Sequence, residues 1–360
     1  MTDGITFICP SYNHEKYIGI FIESVLAQTC PSWELIIIDD CSQDGNLREA
    51  ERFTDARIRI ITHPFNMGIQ VSIMEGVEAA SYDIVALIAS DDMLMPQYVE
   101  KVLAHFAAGD FGVLYTPLQF IDHEGTPLNE GIPLPWQKSQ QEIFVDSFLK
   151  ENQLPSPGMA MKKGLLLSLF PLHTGLLQYH DWQLHMLLMY RTNIFLCPET
   201  LVWYRQTPGS ACKPSIGRQI RSAAETDILM DTVMQLIDHD TESFQRYFGN
   251  RENPAWPVTP ETVPLHLGWI AMQSPDEEKR RWATGTIIRL ISHMEKMQVL
   301  HDCCGFTFNE YLRLPESLGL NSYTTFEKQK KCLKRQKKLW RAACIVSSVL
   351  FLSTLIWNIL

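Results

Sequence analysis

Several absences in this 360-residue chain narrow its function before any motif is read. No G-x-G-x-x-G follows the first strand-like run, and no G-x-x-x-x-G-K-[ST] occurs anywhere. The usual sequence evidence for a dinucleotide-binding or P-loop protein is therefore missing. The nine cysteines are odd in number and scattered, and none forms a C-x-x-C pair. That argues against a zinc finger or a disulfide framework and for a reducing compartment. No charged-then-apolar leader opens the chain, so a secretory signal is not expected. Basic charge is scarce except in one place. Between Lys328 and Arg341 stand eight Lys and Arg and no acid. The remainder holds 23 Lys and Arg against 41 Asp and Glu, a body at −18. An acidic body lacks the basic face of a nucleic-acid binder, so no nucleic-acid partner is expected.

What is present begins with alternation. Apolar, β-branched runs at Ile5–Cys9, Glu34–Ile38, Ile58–Ile61, Ile84–Ile88 and Gly112–Tyr115 read as strands. Between them lie helical patterns. One runs from His14 to Gln28 with Asn13 as N-cap and Pro10-Ser11-Tyr12-Asn13 breaking the preceding strand. A second leaves the turn Asn66-Met67-Gly68 and reaches Ala80. A third opens at Pro96. Strands and helices alternating at this pace predict an α/β fold with a mostly parallel sheet. Residues 122–141 read as a Pro- and Gly-rich loop. Short strands are expected at Ile194–Cys197 and Leu201–Arg205. Beyond about residue 216 the pattern turns helical, with Ser274 as the N-cap of a helix carrying Trp282, Ile287 and Leu290.

Two adjacent carboxylates, Asp91 and Asp92, end the fourth strand. Open α/β sheets bind ligands beyond the carboxyl ends of their strands. Paired acids there suit a hard divalent cation on a phosphate, with coordination positions left open for phosphate oxygens. Pro10-Ser11-Tyr12-Asn13 follows the first strand and Asp39-Asp40 the second. Tyr179-His180-Asp181-Trp182 comes about ninety residues after the acid pair. A tyrosine ring stacks on a base, a carboxylate accepts from a base or ribose, and a metal-held acid grips diphosphate. Together they describe a nucleotide-diphosphate site.

The blocks ITFICPSYNHEKYIGIFIESVLAQTCPSWELIIIDDCSQDG, NMGIQVSIMEGVEAASYDIVALIASDDMLMP, LQYHDWQL and LVWYRQTPGSA, over roughly residues 3–212, resemble inverting glycosyltransferases of family 2, which have the GT-A fold. The resemblance implies that Pro10 and Tyr12 line the base pocket and Asp40 bonds the base. Asn66 joins the nucleotide-sugar site and Asp91 sits near the ribose. Asp92 holds Mn²⁺ or Mg²⁺ on the diphosphate. Asp181 is the general base, and Trp182 forms part of the acceptor floor. Two positions depart from the family pattern. Ala89 stands where many members carry the first acid of D-x-D, and Thr207 where many place a histidine.

Residues 1–215 are thus expected to form a GT-A domain, 216–327 a helical region and 328–341 a basic juxtamembrane segment. The uncharged stretch 342–360 is expected to be a membrane anchor. As a helix its 19 residues would reach about 28 Å, near the ~30 Å hydrocarbon thickness. The basic flank would place the body at the cytoplasmic face of the inner membrane. The implied activity is transfer from a nucleotide-diphosphate sugar, with UDP the expected nucleotide, to a hydroxyl of a glycan or lipid-linked glycan. Transfer to a polyprenyl phosphate and an inactive nucleotide-sugar-binding scaffold are the alternatives.

Overall fold

The computed structural model describes residues 4–207 and 216–317. The expected anchor at 342–360 and the basic tract at 328–341 lie outside them. Among the described residues no helix is long and apolar enough to cross a membrane.

The chain starts with three strand–helix crossovers: β1 (Ile5–Ser11), α1 (Ile18–Leu26), β2 (Trp33–Asp39), α2 (Asn46–Ala50), β3 (Ile58–Thr62), α3 (Ile69–Ala79) and β4 (Ile84–Leu87). Then follow β5 (Met93–Leu94), α4 (Tyr98–Ala108), β6 (Val113–Tyr115), β7 (Leu118–Ile121), β8 (Pro127–Ile132), α5 (Gln140–Leu149), β9 (Met159–Lys162), α6 (Lys163–Leu167), α7 (His180–Arg191), β10 (Ile194–Leu196) and β11 (Val202–Arg205). Helices α8 (Ile216–Ile237), α9 (Thr241–Phe248), α10 (Val263–Ala271), α11 (Glu277–Ile291) and α12 (Met294–Cys304) complete a first unit ending at Cys304. The second unit starts at Gly305. Its described part is α13 (Phe308–Ser317), capped by Thr307, whose amide donates to Glu310 Oε2 at 2.6 Å.

The main sheet has the order β10-β6-β9-β4-β1-β2-β3. All of its neighbours pair in parallel except β9, which runs antiparallel between β4 and β6. Leu35, Ile36, Ile37 and Ile38 of β2 are all fully buried. That follows from helices covering both faces, which is why these strands read as unbroken apolar runs. Ile18, Phe21, Ile22 and Val25 of α1 pack into the core cluster on one face. On the other face α3 lies so close that a Cβ at Gly76 would stand 2.5 Å from Ile8 Cγ2 and 2.8 Å from Ile38 Cδ1.

Strand order carries the functional message. From β1 the chain steps outward to β2 and β3, then returns to place β4 on the opposite side of β1. The reversal opens a crevice at the carboxyl ends of β1 and β4, where such sheets bind ligands. A second sheet, β5-β11-β7-β8, lays Arg205 at the end of β11 over that crevice.

Several local expectations are corrected. Pro10 and Ser11 continue β1, because Pro10 has no amide to donate and the strand tolerates it near its end. Helix α1 begins at Ile18, and Asn13 does not cap it. Asn13 takes a left-handed backbone (φ 56°) and accepts from the Gln43 amide at 2.7 Å, tying the β1 loop to the β2 loop. Residues 122–141 contain a strand, β8, paired with β7. It is exposed along nearly its whole length, so no apolar alternation marked it. The N-cap of α11 is Asp276, which accepts from Glu278. Ser274 is drawn away by donating to the Leu149 carbonyl.

Candidate active site

At the β1/β4 crevice, Ser90 is buried and shares a 2.8 Å hydrogen bond with His14 Nδ1. The other ring nitrogen of His14 stands 3.9 Å from Asp91 Oδ2. The Asp91 side chain keeps 20 % exposure. Asp92 is turned inward, at 1 %. One of its oxygens accepts from the Arg205 backbone amide at 3.0 Å, and the other, Oδ2, is buried without a hydrogen-bond partner. Burial, then the Asp91 charge, pushes the Asp92 carboxyl well above the ordinary range. The Arg205 amide and guanidinium only partly oppose this.

Arg205 closes the site from above. Its Nε donates to the Asp91 carbonyl at 2.7 Å, and Nη1 donates to the carbonyls of Asp122 and His123. The guanidinium lies 5.0 Å from the centre of the Tyr17 ring. Neither Arg205 nor His14 carries a role that the sequence alone assigns. The only signal for either is position, since Arg205 ends β11 and His14 follows the end of β1.

Pro10 is half-buried and Tyr12 is 43 % exposed, so the Tyr12 ring is free to stack at the crevice mouth. Asn66 is exposed in the loop entering α3. Asp40, expected to bond the base, follows the end of β2 and also serves protein donors. It is 5 % exposed, and it accepts from the amides of Met67 (2.6 Å) and Gly68 (2.9 Å) and from His63 Nδ1 (2.7 Å). Burial pulls the His63 imidazole down, but Asp40 and Glu75, hydrogen-bonded to its two nitrogens, more than reverse this and hold it protonated to higher pH. Asp40 therefore anchors the loop that carries Asn66, and its oxygens are engaged by protein donors.

Asp181 lies in the first turn of α7, one residue inside its start, and is not the N-cap. Asn152 Nδ2 donates to its Oδ2 at 3.4 Å. The oxygen of the same amide accepts from His185 Nδ1 at 3.1 Å. Burial, and after it the Asp181 charge, raises the Tyr115 phenol. Tyr115 ends β6, and its ring meets edge-on, at 5.2 Å, that of His185, one turn beyond Asp181, so the first half of α7 packs beside the carboxyl end of β6. Strands β6 and β4 are two spacings apart, about 10 Å. Trp182, expected as an acceptor floor, is corrected. It is 6 % exposed, its ring packed edge-on to Tyr179 and capped by Lys279 Nζ at 4.3 Å, which leaves no face for a sugar. Asn152 and Tyr115 were not legible as neighbours of Asp181, because the long connections joining them to it carry no periodic signal, whereas His185 follows one turn later on α7.

A switch-point crevice with an acid pair on one side and a carboxylate at the head of a helix on the other defines the GT-A-like class of α/β domain. Its architecture is shared with the crystal structure of S. aureus TarS 1-349 in complex with UDP-GlcNAc. The TM-score is 0.53 at 16% identity, covering 87% of this chain and 90% of that one. Residues 6–167 match the model described as glycosyl transferase family 2. Similar proteins include TuaG of Bacillus subtilis (strain 168), named as a teichuronic acid biosynthesis glycosyltransferase. It is 33% identical over 151 residues, 41% of this chain and 58% of that protein. Another is the Escherichia coli UDP-Glc:alpha-D-GlcNAc-diphosphoundecaprenol beta-1,3-glucosyltransferase WfgD, 29% identical over 119 residues, 33% of this chain and 47% of that one. The chain spans about half the length of these curated relatives.

Proposed function

We propose that this protein transfers a sugar from a nucleotide-diphosphate donor, UDP being the nucleotide, to a hydroxyl of a glycan or lipid-linked glycan, with inversion. The observation that carries this reading is the meeting of Asp91, Asp92 and His14 at the β1/β4 switch point, with α7, which carries Asp181, packed against Tyr115 at the end of β6. The fold shared with a UDP-GlcNAc-bound structure and the names of the relatives support it.

In this reading Tyr12 packs on the base, and Asn66, held by the loop that Asp40 anchors, borders the nucleotide. Asp91 faces the ribose and Asp92 the diphosphate. Asp181 takes the proton from the acceptor hydroxyl as its oxygen attacks C1 of the sugar on the face opposite the nucleotide. The bond from C1 to the diphosphate oxygen breaks with its electron pair going to UDP. The residues fit a divalent cation, since the buried oxygen of Asp92 lacks a partner and Asp91 is partly open. Bound there, Mn²⁺ or Mg²⁺ would supply positive charge to the leaving diphosphate. With Ala89 in place of an acid, the protein contributes few ligands, and the diphosphate would complete the set. We further propose that the C-terminal segment holds the body at the cytoplasmic face of the membrane, where a lipid-linked acceptor would be presented.

The test is UDP release from a panel of UDP-sugars, with Mn²⁺ and then with EDTA. Turnover of one donor that EDTA suppresses at least tenfold is expected. Tight UDP binding with no turnover of any donor would leave the scaffold reading instead. Asp181→Asn should lower kcat by about 10²- to 10⁴-fold with UDP affinity preserved. Retained transfer would remove Asp181 as the base.

A further inference from the structure

Two buried charged side chains of the helical region after residue 216 reach directly to the segments that hold Asp181. Glu225 of α8 is 5 % exposed. Its carboxylate accepts from three successive backbone amides: Leu177 at 3.2 Å, Gln178 at 2.7 Å and Tyr179 at 2.8 Å. These are the residues leading into α7, and Tyr179 is its N-cap. A carboxylate at this place satisfies orphan amides and complements the positive end of the helix dipole. The same stretch is clamped by side chains. Gln178 Oε1 accepts from Arg218 Nε at 3.1 Å and from Ser222 Oγ at 2.6 Å, both on α8, while its Nε2 donates to the Arg218 carbonyl.

Lys279 of α11 does the complementary work on the other side. It is 1 % exposed. Its ammonium donates to the carbonyls of Ser147 (3.0 Å), Phe148 (2.8 Å) and Lys150 (2.7 Å), which end α5, and caps the ring of Trp182 at 4.3 Å. Two residues beyond Lys150, Asn152 donates to Asp181. One buried anion therefore fixes the backbone just before Asp181. One buried cation fixes both the helix end that delivers its hydrogen-bond donor and the side chain that follows it.

We infer that α8 and α11 form a positioning frame for Asp181, with Glu225 and Lys279 as positioning residues that set its geometry without touching substrate. The inference rests on the reading of Asp181 as the base. A carboxylate misplaced by about 1 Å loses on the order of 10²-fold in rate. The frame thus explains why charged groups are retained in an interior where apolar residues would pack at lower cost.

The experiment uses the full chain, well below the thermal midpoint of each variant. UDP release is followed with the UDP-sugar that the wild-type protein turns over fastest, and UDP affinity is measured by calorimetry. Glu225→Gln keeps the volume but aims an amide donor at backbone donors. It is expected to lower kcat ten- to a hundredfold with UDP affinity within twofold. Amide exchange over 177–184 should rise at least tenfold, and exchange over β1 and β2 should not change. In the Asp181→Asn background, Glu225→Gln should cost nothing further, because the group it positions is gone. Lys279→Met should behave like Glu225→Gln.

Wild-type kcat in Glu225→Gln, unchanged exchange over 177–184, or a loss that multiplies with that of Asp181→Asn would overturn the frame. The exchange readout needs no turnover, so it decides the structural half even where no donor is hydrolysed. Full activity of Asp181→Asn would instead overturn the base assignment and leave the exchange result standing. Should Glu225→Gln fail to fold, Gln178→Ala, which cuts only the Arg218 and Ser222 links, carries the same comparison with an expected two- to fivefold fall in kcat.

Discussion

Asp40 shows that a carboxylate at a strand end also has structural work to do. A carboxylate after the second strand of such a fold invites a ligand, yet here it serves three protein donors and fixes the turn at Met67-Gly68. Gly68 sits at φ 89°, a conformation in which its amide can reach Asp40 at little strain. Asp40→Ala leaves two backbone amides and a buried imidazole without their acceptor. It should cost about 2–3 kcal/mol in urea unfolding and weaken UDP binding through the displaced loop. An unchanged unfolding midpoint would contradict this accounting.

His185 makes a second residue-scale prediction. It is fully buried beside Asp181, and desolvation, only partly opposed by the Asp181 charge, pulls its pKa down to about 4. The native protein refuses the proton that an unfolded histidine accepts at its ordinary value near 6.5. Stability from this group is therefore present above pH 6.5 and lost as pH falls from there to about 4, by as much as about 3 kcal/mol. Replacing the ring by Gln should flatten that part of the stability profile, measured as urea midpoints at pH 7 and pH 4.5. Parallel profiles for the two proteins would count against it.

At the scale of elements, the parallel core was legible and its insertions were not. Strands β1, β2 and β4 announce themselves because they are buried on both faces and bounded by turn residues. Strand β9 carries only Met-Ala-Met-Lys, too short and too neutral in propensity to be read, yet it separates β4 from β6 and sets the spacing between the acid pair and Asp181. The acid pair itself was readable, because two carboxylates ending an apolar run have no packing purpose. Trp182 was not, since a tryptophan on a helix looks the same whether it faces sugar or core. The packing of α3 on β1 and β2 yields a sharper test. Gly76→Ala would place a methyl in contact with Ile8 and Ile38, and overpacking of this kind costs typically 1–3 kcal/mol. Gly164→Ala in α6, where nothing lies within 4 Å, serves as the control and should be neutral or slightly stabilising. Equal unfolding midpoints for the two variants would show that α3 has room to shift.

Over the whole molecule, charge is divided more sharply than its net value of −10 suggests. The body to residue 327 carries −18 and would be repelled by an anionic leaflet, while the eight basic residues from Lys328 to Arg341 would be drawn to one. Each Lys or Arg held near such a surface contributes about 1 kcal/mol, falling off within a Debye length. The uncharged stretch that follows would add apolar insertion, which salt does not screen. The two contributions separate experimentally. Full-length protein should co-sediment with vesicles containing phosphatidylglycerol and remain largely bound in 0.5 M NaCl. A chain ending at residue 327 should stay in the supernatant with its unfolding midpoint and UDP affinity unchanged. Because the frame around Asp181 is built from residues no later than Lys279, that truncation should also leave kcat intact for a water-soluble acceptor. Were the truncated protein to aggregate or unfold, the C-terminal segment would belong to the core and not to a membrane. Release of the full chain by salt alone would assign its attachment to the basic tract without insertion of the apolar stretch.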